Sequence, residues 1–205
     1  MKTVWMVVPA GMTCVAARRL LRSALLAACS AAVCACGGGD PAPAPPRPAA
    51  VPIGRSSEHR PRALTADTAR GRPVGRLRCT RGERARFGVH LEVFADRQVV
   101  IVPAGIGIAP PHRGRAPYVR AGRCSYPVRT REPTGVIEVE RGRPLTLGDL
   151  EALWGRPVDE RYAWVGGRRW RGLPSSIPLT PHAQIVLSDD ARVPVHASYV
   201  FPPGL

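Results

Sequence analysis

The stretch Thr134-Gly135-Val136-Ile137-Glu138-Val139-Glu140, followed by Leu145-Thr146-Leu147-Gly148-Asp149-Leu150-Glu151-Ala152-Leu153-Trp154-Gly155, decides the fold class. Residues 135 to 140 alternate with β-branched Val136, Ile137 and Val139 among them, and read as a strand. Thr146 suits a helix N-cap, Asp149 stands three residues on as in a capping box, and Gly155 with Pro157 stops the run. Leu147, Leu150 and Trp154 recur at i, i+3 and i+7, so the helix has one apolar face. A strand that hands over to such a helix needs a sheet to cover that face.

Working outward, Val89, Leu91 and Val93 alternate with His90, Glu92 and Phe94, the two-residue period of a strand. Ala95-Asp96-Arg97 supplies a turn, and Val99 to Val102 returns as a β-branched run, which together predict a hairpin. Pro103 to Ile108 leaves the sheet through a glycine-interrupted apolar stretch. On the other side of the helix, Tyr162 to Val165, Gly166-Gly167 and Arg168 to Trp170 predict a second hairpin with a two-residue turn. Ala183, Ile185 and Leu187 form a last strand, ended by Asp189-Asp190. The sum is a small α+β domain over residues 79–205, a mixed sheet with one packed helix in a β-grasp-like arrangement.

The chain has 205 residues, with 30 basic against 15 acidic side chains, a net charge of +15; Lys2 is its one lysine. Aromatic residues make up 5%, thin for a large core, and no apolar run reaches the roughly 18 to 20 residues of a spanning helix. A polytopic membrane protein, a coiled coil and a large enzyme are excluded. Charge is uneven: residues 40–86 hold 11 Arg and four acids, whereas residues 87–205 hold 15 Arg and 11 acids.

Arg18, Arg19 and Arg22 precede Ser23 to Ala35, an uncharged run rich in Ala and Leu. This is the n-region and short h-region of a secretory signal over residues 1–35. A start at Met12 would leave a more ordinary n-region. Small residues run up to cysteines as in a lipoprotein signal. Leu26-Ala27-Ala28-Cys29 is the better lipobox, but Val33-Cys34-Ala35-Cys36 leaves a fuller h-region, and Gly37-Gly38-Gly39-Asp40 with a proline-rich tether follows it directly. Cys36 is the expected acylation site and Cys29 the alternative. Acyl chains on one cysteine suffice for stable anchoring. Neither cysteine is followed by Asp, which by the sorting rule of enteric bacteria points to the outer membrane, facing the periplasm.

Residues 36–52 form the lipidated terminus and tether. The polyproline-like Pro41 to Pro52 would reach roughly 37 Å at about 3.1 Å per residue. Residues 53–78, rich in Arg, Ser, Thr and Gly with little apolar periodicity, are expected to be a flexible basic segment suited to an anionic envelope surface. The missing aromatic interleaving and missing nucleic-acid motifs argue against nucleic acid as a partner. Cleavage before Cys36 and its acylation leave two thiols in an oxidising compartment, so a Cys79–Cys124 disulfide is expected.

Chemistry-bearing constellations are few. His59, His90, His112, His182 and His196 include no pair at metal-ligand spacing. His90, on the polar face of its strand beside Glu92, is expected to be solvated. Glu138 and Glu140 share a strand face, where paired carboxylates could serve acid–base chemistry. The simpler expectation is an outward face with Arg129, Arg131, Arg141 and Arg143 nearby. Ser175-Ser176 has no G-x-S-x-G context, and Gly105-Ile106-Gly107 lacks the rest of a phosphate loop. No catalytic residue, metal ligand or cofactor is predicted.

The blocks Val102-Pro103-Ala104-Gly105-Ile106-Gly107-Ile108, Thr134 to Glu140 and Leu145 through Gly155 resemble an uncharacterised family of bacterial secreted proteins and lipoproteins. So do Ile177-Pro178-Leu179-Thr180-Pro181-His182-Ala183-Gln184-Ile185 and Phe201-Pro202-Pro203-Gly204-Leu205. The resemblance covers about residues 87–205 and implies histidines in the first strand, after the second cysteine and in the T-G-x-I strand, a metal-binding pattern. This chain keeps His90 alone of these: it has Val128-Arg129-Thr130-Arg131 after Cys124, and Glu138 where a histidine is implied. The resulting expectation is a membrane-anchored, non-enzymatic binding or envelope-structural module. The alternative is a periplasmic metal-binding module using His90, Glu138 and His196.

Overall fold

A computed structural model of the chain describes residues 51–157 and 160–205. The elements are α1 (Ala66–Arg70), β1 (Arg86–Ala95), β2 (Gln98–Val100), β3 (Ile108–Ala109), β4 (Cys124–Ser125), β5 (Val128–Thr130), β6 (Val136–Glu140), α2 (Leu147–Trp154), β7 (Tyr162–Val165), β8 (Arg168–Arg169) and β9 (Gln184–Ser188). The main sheet runs β5-β6-β1-β9-β7-β8, with β2 paired to β1 beyond the end of β6. β1 and β9 are parallel at its centre and the other pairs are antiparallel, so the sheet is mixed as expected.

Both hairpins form where the turn residues place them. Asp96 and Arg97 adopt φ of 48° and 57°, and Gly166 and Gly167 adopt 55° and 77°, the left-handed pair that suits the twist of two-residue hairpins. Helix α2 also starts and stops as its caps dictate. The Thr146 N–H donates to Asp149 Oδ2 at 2.9 Å, and Gly155 at φ 75° returns its N–H to the Glu151 carbonyl. Leu147, Leu150, Leu153 and Trp154 are all buried. They meet Phe87, Val89, Leu91 and Val93 of β1, Ile137 and Val139 of β6, and Ile185 and Leu187 of β9 in one core.

Cys79 and Cys124 are joined, at a Cα separation of 5.5 Å. The bond lies against the end of α1, where a side chain on Gly71 would meet Cys124 Sγ at 3.0 Å.

Residues 53–78 correct the expectation of a flexible segment. Residues 52–54 lie along β2: Val99 N–H donates to the Pro52 carbonyl and Gly54 N–H to that of Val99. His59 is buried and contacts the Ala95 carbonyl through Nε2 at 3.1 Å. Thr65 caps α1 and also fills the space beside Gly155, where a Cβ would come within 2.4 Å of its methyl group. Leu77 joins the main core. Arg76 reaches Asp149 at 2.6 Å and the Pro144 carbonyl at 2.9 Å. The attachment uses backbone hydrogen bonds and single side chains, so it leaves no hydrophobic period to read.

Candidate functional site

The second face of the sheet gathers the polar residues singled out in the sequence. On β1, Arg86, Gly88, His90, Glu92 and Phe94 face away from the helix; their β6 neighbours are Glu138 beside Gly88 and Glu140 beside Arg86. A C-terminal strap crosses this face. Val193 and Val195 pack on Phe94, Trp164 and Val186, and the Tyr199 ring stacks on His90 with centroids 3.7 Å apart. Phe201 lies over Gly88, where an added Cβ would come within 2.5 Å of its ring. A glycine inside a strand marks such close approach.

His90 is therefore 5% exposed, which corrects its expected solvation. Its Nε2–H donates to the Thr134 carbonyl at 2.9 Å, and its Nδ1 meets the Gln184 side-chain amide at 2.8 Å. Both ring nitrogens are engaged. Glu138 and Glu140 are likewise buried rather than solvated. Arg129, its side chain 4% exposed, donates through Nε to Glu138 Oε2 and through Nη2 to Glu83 Oε2, both at 2.7 Å. Arg131 joins the same two carboxylates at 2.9 and 3.1 Å, and Arg84 approaches Glu140 at 3.4 Å.

Electrostatics follow that geometry. Burial opposes the charge on Arg129, but its hydrogen bonds and attraction to Glu83 and Glu138 outweigh that and raise its pKa. The Arg129 hydrogen bond holds the Glu83 carboxyl below its ordinary value. Arg86 is the exception. Its guanidinium donates to the carbonyls of Pro127 at 2.8 Å and Tyr126 at 3.1 Å, with no carboxylate among the described residues in hydrogen-bond contact. Burial, reinforced by repulsion from Arg129, pushes it down to about 10. These groups line a cleft of about 470 Å³ closed on one side by Pro202 to Leu205. With both carboxylates held by arginines, the cluster lacks the free acid–base pair that glycoside chemistry requires.

A second groove, of about 700 Å³, opens where β1 is exposed between the end of β6 and β2. Val51, Ile53, Val99 and Ile101 form aliphatic walls, and Glu92, His196 and Tyr199 stand at its polar side. His196 Nδ1–H donates to Glu92 Oε2 at 2.8 Å.

The three residues of the metal-binding alternative do not meet around one point. Glu138 is held by arginines, His90 by Gln184 and Thr134, and His196 by Glu92. Among the described residues no group of three or more His, Cys, Asp or Glu side chains could hold a metal ion. Cys29 and Cys36, the candidate acylation sites, lie outside the described residues. Sequence reasoning missed Glu83, Arg86 and the Glu92–His196 pair, whose partners are remote in the chain. It also missed the strap, although Gly88 amid a strand pattern was a usable signal. Comparison of the chain with protein-family models, curated proteins and solved structures finds no match.

Proposed function

We propose that this protein is an exported, lipid-anchored, non-enzymatic binding module of the bacterial envelope, held by an acylated Cys36 (or Cys29) at the outer membrane and facing the periplasm. The observation that carries the reading is the Cys79–Cys124 bond, because structural disulfides form in oxidising compartments outside the cytosol. It fits the arginine cluster, h-region and small-residue run that precede Cys36. The aliphatic groove supports a binding role, since apolar concavities with a few placed polar groups are the usual form of a ligand site. The carboxylates locked in ion pairs support a role other than acid–base catalysis.

The likeness to secreted proteins and lipoproteins rests on the PAGIGI, TGVIEVE and LTLGDLEALWG blocks. The four longest strands run in the order second, first, fourth, third, with first and last parallel and α2 between second and third; this supports a β-grasp-like reading. Fatty-acid labelling of the wild type and of the Cys36→Ser and Cys29→Ser variants tests the anchor. Label lost in one variant assigns the site, and an unlabelled wild type refutes it. Robust hydrolytic turnover by the purified protein would refute the non-enzymatic role.

A further inference from the structure

We propose that the groove beside β1 binds a single aliphatic chain with an uncharged hydroxyl head, the chemistry of a monoacylglycerol or a fatty alcohol. The inference rests on the reading of the domain as a binding module. Val51, Ile53, Val99 and Ile101 present branched aliphatic surface from two segments, and Ile53 is 51% exposed. Covering such surface with an apolar ligand is favourable. Walls of aliphatic side chains suit a flexible alkyl chain, and a groove of about 700 Å³ has the size of a small-molecule site.

The head follows from charge. Lys and Arg supply 30 of the 205 residues, yet among the described residues neither type lines this groove. A carboxylate or phosphate head would meet Glu92 with no Lys or Arg to receive it. A cationic head would have to displace His196, whose Nδ1 stands 2.8 and 3.0 Å from the two Glu92 oxygens. A carboxylate only accepts, so Nδ1 carries a hydrogen, and in the tautomer this favours Nε2 is the nitrogen with the lone pair. That nitrogen has no partner among the described residues, and an O–H at the end of an aliphatic chain donates to it. His90 does not compete, because both its nitrogens are already bonded.

The test is titration calorimetry of the full chain carrying Cys29→Ser and Cys36→Ser, so that no acyl anchor occupies the groove. Three twelve-carbon amphiphiles are compared below their micelle concentrations at about pH 8: 1-lauroylglycerol, laurate and dodecyltrimethylammonium. Saturable binding of 1-lauroylglycerol at least about tenfold tighter than either charged analogue is expected. Ile53→Glu is expected to weaken it by at least about tenfold, while Leu173→Glu, at a 74% exposed leucine outside the groove, leaves it unchanged. His196→Phe frees Glu92, and is expected to keep chain binding while dodecyltrimethylammonium comes to bind at least as tightly as 1-lauroylglycerol and laurate stays the weakest of the three. No saturable binding, or equal loss in Ile53→Glu and Leu173→Glu, overturns the site; the anchor is decided separately by labelling. A charged analogue that binds as tightly overturns the head assignment and leaves a binding module standing.

Discussion

The two faces of β1 solve the same burial problem by different chemistry. Toward α2, Phe87, Val89, Leu91 and Val93 meet aliphatic side chains and need nothing beyond shape. Toward the strap, Arg86, Gly88 and His90 are buried too and Glu92 is half-buried, but each polar side chain needs a specific partner. The first face tolerates volume-conserving change. The second is sensitive to single atoms, because a buried charge without its partner is costly.

That contrast can be broken most forcefully at Arg129. Arg129→Met removes the buried partner of Glu138, leaving it the more exposed Arg131 alone, and is expected to cost about 3–5 kcal/mol in urea unfolding. Adding Glu138→Leu is expected to recover much of that loss, which a purely steric role for Arg129 would not allow. On the other face, Leu150→Ala is expected to cost about 2–5 kcal/mol through the cavity it leaves, with no partner substitution able to restore it.

A smaller effect tests the strap itself. Gly88→Ala places a methyl within 2.5 Å of Phe201 and is expected to destabilise by about 1–3 kcal/mol. Limited proteolysis should then cut between residues 193 and 205 sooner than in the wild type; unchanged cleavage would show that Phe201 moves aside freely.

The least effect concerns acid. Arg129 holds Glu83 below its ordinary value of 4.5. A carboxylate depressed in the folded state supports the fold fully above its unfolded value and loses that support as pH falls through the folded one. Urea midpoints should therefore fall below about pH 4.5, and Glu83→Gln should flatten part of that dependence. An identical slope in the variant would remove Glu83 from the network's energetics.

The contrast between faces also explains what the sequence disclosed. Strands, hairpin turns and helix caps are readable because each is a local signal: a period of two, a Gly-Gly turn, a Thr with Asp three residues on; the cysteine pair is readable by counting the thiols that remain. The aliphatic face of β1 was readable for the same reason. His90 and Glu138 were misjudged because period two reports only that a face is polar. Whether water or another segment covers it depends on residues about 60 to 110 positions away, such as Tyr199 and Phe201. Residues 53–78 escaped for a related reason: His59, Thr65 and Leu77 hold them singly, without repetition. Both grooves are likewise assembled from separated segments, so neither left a motif.

The parallel pairing of β1 with β9 has a bearing on how the molecule comes into being. His90 and Gln184, opposite each other at the centre of the sheet, are 94 positions apart in the chain. Closing so long a loop comes before any reward from the contact, which slows assembly. A ribosome that still holds residues 184–188 therefore keeps the two halves of the sheet from joining. Release of that final strand is the moment at which a threadable polypeptide becomes a rigid object.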